Sequence, residues 1–110
     1  MDRKYQNAND MDKREVLKIV ALYLASIGGI YKIESAYLFG SFAKGTQHED
    51  SDIDIAIVID DSNDIIDTQI ELMKLRRKVD LRIEPHPFLK ADFNKSNPVA
   101  SEIMKWGIAL

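Results

Sequence analysis

Cysteine is absent from the 110-residue chain, which excludes disulfides, thiolate metal sites and a disulfide-framed secreted scaffold. No apolar run is long enough to cross a bilayer or to serve as the hydrophobic stretch of a secretory signal. A cytoplasmic protein without membrane contacts is therefore expected. Basic residues are in deficit, with Lys and Arg numbering 15 against 18 Asp and Glu for a net charge of −3. That balance offers no broad electropositive surface to follow a nucleic-acid backbone, and direct nucleic-acid binding is not expected. Proline and glycine are sparse, at 3 and 5, and no repeat or low-complexity tract interrupts the chain. What is present is an ordinary globular mixture, 45% hydrophobic and 30% charged. It suits one domain over residues 1–110 with a modest core.

Residues 1–11 are polar and expected to be flexible. Asp12, with Glu15 three positions on, forms an acidic capping box, and Val16, Ile19, Val20, Tyr23, Leu24 and Ile27 recur at helical spacing. A helix is expected over 12–27, ended by Gly28-Gly29 in left-handed conformations. Ile33 to Phe39 reads as a strand that runs into the turn Gly40-Ser41 and then a brief helix around Phe42 and Ala43. From Ser51 to Ile59 the pattern alternates strictly, with Ile53, Ile55, Ile57 and Ile59 on one side and Asp52, Asp54, Ala56 and Val58 on the other. After the turn residues Asp60 to Asn63, a helix is expected to about Arg77. A third strand is expected at Val79, Leu81 and Ile83, stopped by Pro85 and Pro87. Asn97 caps and Pro98 opens a last helix, in which Ile103 and Trp106 read as core packing. This order predicts an α/β (α+β) fold with a small mixed β-sheet and helices packed on one face.

Two local patterns carry chemistry. The turn Gly40-Ser41-Phe42-Ala43-Lys44-Gly45 joins a strand to a helix, where backbone N–H groups and the Ser41 hydroxyl can meet phosphate. It is neither a Gly-x-Gly-x-x-Gly fingerprint nor a P-loop, because Thr46-Gln47 stands where a P-loop needs Lys followed by Ser or Thr. Downstream, Ser51-Asp52-Ile53-Asp54 sets two carboxylates on one strand face. Their mutual repulsion is relieved by a cation such as Mg²⁺, which takes one or two carboxylates and completes its octahedron with phosphate oxygens and water. Asp80 is expected on the same polar face. Three carboxylates on adjacent strands can hold two metal ions roughly 4 Å apart for an in-line displacement. Glu84 shares that parity and reads as a solvated strand end. His48, in a polar loop, and His86, between two prolines, read as surface histidines. Arg76-Arg77-Lys78 suits a helix C-terminus.

The run from Gly40 to Gly45, the spacer, Ser51 to Ala56, and then Lys78-Val79-Asp80-Leu81 after a helix together resemble the DNA polymerase β-like nucleotidyltransferase superfamily, in particular its minimal prokaryotic members. The resemblance covers residues 30–85. It implies that Gly40 and Ser41 bind the triphosphate of ATP, that Asp52 and Asp54 ligate two Mg²⁺ ions, and that Asp80 holds the catalytic one. Many relatives carry arginines in the turn where this chain has Phe42 and Lys44; Lys44 keeps a charge there without the bidentate fork. The resemblance further implies an antitoxin that transfers AMP from ATP to a tyrosine of a small helical HEPN-type ribonuclease toxin. The competing expectations are transfer to a small molecule, which usually calls for an added substrate domain, and a non-catalytic module that neutralises its partner by binding alone.

Overall fold

The computed structural model describes residues 2–47 and 51–110, so the expected polar loop around His48 lies outside the described residues. Helix α1 (Asp2–Ile27) begins ten residues before the capping signal at Asp12. Nothing in 2–11 stops a helix, since that stretch holds neither proline nor glycine. Its buried stripe is Val16, Val20, Tyr23 and Ile27, at alternating four- and three-residue spacing. The helix ends where expected but by another route. Gly28 and Gly29 keep negative φ, and positive φ among the described residues falls only at Gly40 and Gly45.

β1 (Ile33–Phe39) leads into the single-turn helix α2 (Ser41–Lys44), and β2 (Ile53–Ile59) follows. Helix α3 (Ile65–Leu75) is capped by Asp64, whose carboxylate accepts from the N–H groups of Ile66 and Asp67 at 2.9 and 3.2 Å. β3 (Ile83–Leu89) precedes α4 (Pro98–Trp106), which is capped by Asn97 as the sequence predicts, and β4 (Ile108–Ala109) closes the chain. The sheet order is β3-β2-β1-β4. β1 runs antiparallel to both β2 and β4, and β3 runs parallel to β2 after the α3 crossover.

The third strand therefore starts where the sequence reading had it end. Val79 and Asp80 belong to the turn after a 3₁₀ segment (Arg76–Lys78), and Leu81 is 67% exposed rather than facing the core. The strand instead continues through Pro85 and Pro87. Both prolines share one phase of an edge strand, so both missing N–H groups fall on its unpaired side and the ladder to β2 loses nothing.

One sheet face carries the core. Ile53, Ile55, Ile57 and Ile59 of β2, with Leu38, Ile83 and Leu72, are almost fully buried against α1. Each such side chain contributes about 1.5–3 kcal/mol relative to exposure. The Tyr23 hydroxyl donates to the Leu72 carbonyl at 2.7 Å and so ties α1 to α3 inside this core; burial pushes that phenol well above its ordinary pKa. Tyr23→Phe should lower stability by about 0.5–1.5 kcal/mol, as urea unfolding would measure, with no change of fold. The second face is not bare. At its far end Phe93 stacks on Tyr37 at 5.4 Å and meets Phe88 edge-on at 5.2 Å, and Ala56 and Val58 are buried there. The end nearest Asp54 stays accessible.

Candidate active site

Gly40 is the residue on which the site turns. It sits between β1 and α2 at φ 76°, ψ −150°, a region that side-chain-bearing residues avoid. A Cβ at this position would fall far inside contact distance of the Asp54 carboxylate. The Gly-Ser turn and the carboxylate strand are thus in direct contact, as the antiparallel register also requires by setting Phe39 opposite Asp54. Gly45, at φ 75°, closes α2 by donating its N–H to the Ser41 carbonyl. Phe42 is a core residue 4% exposed that pins the turn to the sheet. Lys44 is exposed at the other end of the same turn.

Asp52 lies one residue before β2 and is exposed. Asp54 is partly buried, and its Oδ1 lies 3.1 Å from the His86 imidazole Nε2. His86 in turn packs edge-on to Phe39 with ring centres 5.0 Å apart. The parallel register sets Glu84 beside Asp54 and His86 beside Ala56. Glu84 and His86 therefore share the Asp54 face of the sheet. Glu84 is also held at the sheet edge by Arg76, whose Nη1 donates to Glu84 Oε1 at 3.1 Å and to the Ile83 carbonyl at 2.8 Å.

Asp80 is placed differently from the sequence expectation. It precedes β3 and closes on Arg82, accepting from its backbone N–H at 2.8 Å, from Nε at 3.1 Å and from Nη2 at 3.0 Å. These hydrogen bonds from Arg82 hold the carboxyl below the ordinary aspartate range, against the opposing effect of partial burial. The structure thus brings Gly40, Ser41, Asp52 and Asp54 together, adds Glu84 and His86 by register, and leaves Asp80 in the adjoining turn. A strand reading carried through the two prolines would have revealed His86, since it has the phase of Glu84 and not of Pro85 and Pro87.

Asp52 and Asp54 suit a hard cation such as Mg²⁺ that takes few protein ligands. Among the described residues no three His, Asp or Glu side chains gather closely enough to enclose an ion. A cation there would need further oxygens from a phosphate substrate, which the adjoining Gly-Ser turn is shaped to admit.

Comparison with known proteins supports the fold and gives the family. Residues 25–109 match the family model described as polymerase beta, nucleotidyltransferase. The protein adenylyltransferase MntA of Shewanella oneidensis is 54% identical over 37 residues, covering 34% of this chain and 27% of the relative. A Methanocaldococcus jannaschii protein assigned as a protein adenylyltransferase is 41% identical over 49 residues, 44% of this chain and 49% of its own. The matched stretches thus span between a quarter and a half of the curated relatives. A Sulfolobus solfataricus protein assigned to the nucleotidyltransferases superposes with a TM-score of 0.66 over 92% of this chain and 84% of its own; at 17% identity it speaks for the fold alone. A toxin–antitoxin assembly with AMP-PNP contains a chain that is 27% identical, with a TM-score of 0.58 over 88% of this chain and 70% of its own. In the MntA–HpeT toxin–antitoxin assembly, solved with a tyrosine-to-alanine change, the matching chain is 29% identical, with a TM-score of 0.56 over 83% of this chain and 68% of its own. With the family model spanning most of its length and the four-stranded mixed sheet carrying the Gly-Ser turn against paired aspartates, the chain belongs to the polymerase β nucleotidyltransferase family.

Proposed function

We propose that this chain transfers AMP from ATP to a hydroxyl side chain of a partner protein, a tyrosine of a HEPN-type toxin, and thereby acts as its antitoxin. The observation that carries the reading is the contact between Gly40 and the Asp54 carboxylate, which makes one site of a phosphate-admitting turn and a cation-binding strand. Further support comes from relatives named as protein adenylyltransferases and from similar chains in toxin–antitoxin assemblies, one of them with AMP-PNP. A solved form of the MntA–HpeT assembly carries two aspartate-to-glutamate changes two positions apart, the spacing of Asp52 and Asp54 here.

In this reading Gly40 lets the triphosphate approach the backbone, and Ser41 donates to it through its hydroxyl and N–H. Asp52 and Asp54 hold Mg²⁺, which would supply charge neutralisation at the α-phosphate and at the departing pyrophosphate. His86 fixes the Asp54 rotamer, leaving the second carboxylate oxygen aimed at the turn. Glu84 provides the third carboxylate on this face. The acceptor oxygen bonds to the α-phosphorus as the α–β phosphoanhydride breaks, pyrophosphate leaves, and the hydroxyl proton is released.

The test is to incubate the protein with Mg²⁺, labelled ATP and the product of its neighbouring gene. The partner should gain the mass of AMP less one water on a tyrosine. Calorimetry that finds no Mg²⁺-dependent ATP binding would remove the reading altogether, and binding without transfer to any side chain would restrict it to a nucleotide-binding module.

A further inference from the structure

The sequence pattern put Trp106 in the core beside Ile103, but the two have opposite fates. Ile103 is 3% exposed and Trp106 is 56% exposed. Ala100 and Ile103 form the buried stripe of α4, and Trp106 is the last residue of that helix, where the chain bends away into β4. The bend is fixed, because the Gly107 N–H donates to the Ile103 carbonyl at 2.7 Å and Leu38 pairs with Ile108 directly afterwards. An indole held exposed on a fixed helix end offers a rigid, flat surface to a ligand.

Its surroundings indicate which ligand. Trp106, Ile103, Glu102 and Gly107 line a cavity of about 220 Å³ together with Phe39, Gly40 and Lys44. Gly40 and Lys44 bound the Gly-Ser turn, and Phe39 stands opposite Asp54. The cavity is therefore continuous with the phosphate-admitting turn. The Lys105 ammonium lies over the indole, 5.1 Å from its centre, which occupies one face and leaves the other for a flat ring.

We propose that Trp106 is the stacking platform for the nucleobase of the bound nucleoside triphosphate, with Lys44 bridging between base and phosphates. The inference rests on the reading of the site as one that binds a nucleoside triphosphate. It adds a specific subsite, because the base is tethered to the phosphates by the ribose and must lie next to the turn that holds them. A protein acceptor must instead enter opposite the departing pyrophosphate. Stacking on an aromatic ring is tolerant of base identity, so discrimination between bases should be modest.

Trp106 is the only tryptophan in the chain, so its emission reports on this subsite alone. Mg²⁺–ATP should quench the fluorescence saturably, with the same midpoint that calorimetry gives. Mg²⁺–tripolyphosphate, which lacks base and sugar, should bind in calorimetry and leave the emission unchanged. Trp106→Phe should keep ATP affinity within about threefold, whereas Trp106→Ala should weaken it about tenfold to a hundredfold. Neither variant should alter tripolyphosphate affinity, which guards against a general loss of fold. Unchanged emission on ATP binding, or wild-type ATP affinity in Trp106→Ala, would overturn the proposal while leaving the proposed function standing. Failure of both ATP and tripolyphosphate to bind the wild-type protein would overturn both.

Discussion

Replacing Gly40 with alanine should reduce nucleotide transfer to background while replacing Gly45 with alanine leaves it near the wild-type rate. Both residues have positive φ, but Gly45 (ψ 18°) is left-handed, where alanine costs roughly 1–2 kcal/mol, whereas Gly40 (ψ −150°) lies in a region essentially reserved for glycine, where alanine costs up to about 3 kcal/mol. Their surroundings differ. A Cβ at Gly45 meets nothing within 4 Å, whereas one at Gly40 runs into the Asp54 carboxylate. Asp54 has little room to yield, because its other oxygen is engaged by His86 and its neighbours Ile53 and Ile55 are fully buried. Either the turn or the carboxylate must shift, by a distance that is decisive for in-line chemistry. Paired melting curves and single-turnover transfer rates would check this. A lower melting temperature for Gly40→Ala than for Gly45→Ala, with transfer lost only in Gly40→Ala below both melting temperatures, is expected, and retained transfer in Gly40→Ala would separate the turn from the site.

The same contrast explains how much was legible in the sequence. The turn and the paired aspartates are local features, set by residues within fifteen positions of one another, and both were readable from spacing and strand parity. So were β1, α2 and the Asn97–Pro98 start of α4, each marked by its own capping or breaking residues. What was misread depended on partners distant in the chain. Pro85 and Pro87 terminate a central strand but not an edge strand in the right phase, and no local pattern says which strand is at the edge. The alternation of Val79, Leu81 and Ile83 imitated a strand, yet Arg76–Lys78 winds into a further 3₁₀ turn and Leu81 remains in water. Register also sets the neighbour of Asp54: pairing Ile53 with Ile83 puts Glu84 beside it, where a strand centred on Asp80 would have put another residue. Trp106 looked like core for a similar reason, because the helical stripe ends one turn before it.

Conversion of Asp54 to asparagine should lower transfer about a hundredfold to a thousandfold or more while leaving the melting temperature unchanged or slightly raised. Asparagine keeps the shape, keeps an oxygen for the His86 N–H and relieves repulsion with Asp52, so a loss of activity with intact fold isolates the charge. The other two acids then divide the remaining role. Each acid is paired with an arginine, Glu84 with Arg76 and Asp80 with Arg82, but register sets only Glu84 beside Asp54; Glu84→Gln should therefore cost transfer heavily, whereas Asp80→Asn should leave it close to wild type. Asp80→Asn should instead show a small stability cost, below about 1 kcal/mol because Arg82 is 42% exposed and solvent screens the pair. The sign of its pH dependence is fixed: a carboxyl held below its ordinary range stabilises the fold at pH above the unfolded-state value. That gain is lost as pH falls through the depressed folded value. The melting temperatures of wild type and Asp80→Asn should therefore converge in acid and separate at neutral pH. If Asp80→Asn abolishes transfer and Glu84→Gln does not, the turn before β3 must release Arg82 and swing Asp80 toward the paired aspartates when nucleotide binds. If Asp54→Asn still neutralises the partner protein as well as wild type, with no mass gain in either case, the carboxylates serve binding alone and neutralisation proceeds without chemistry.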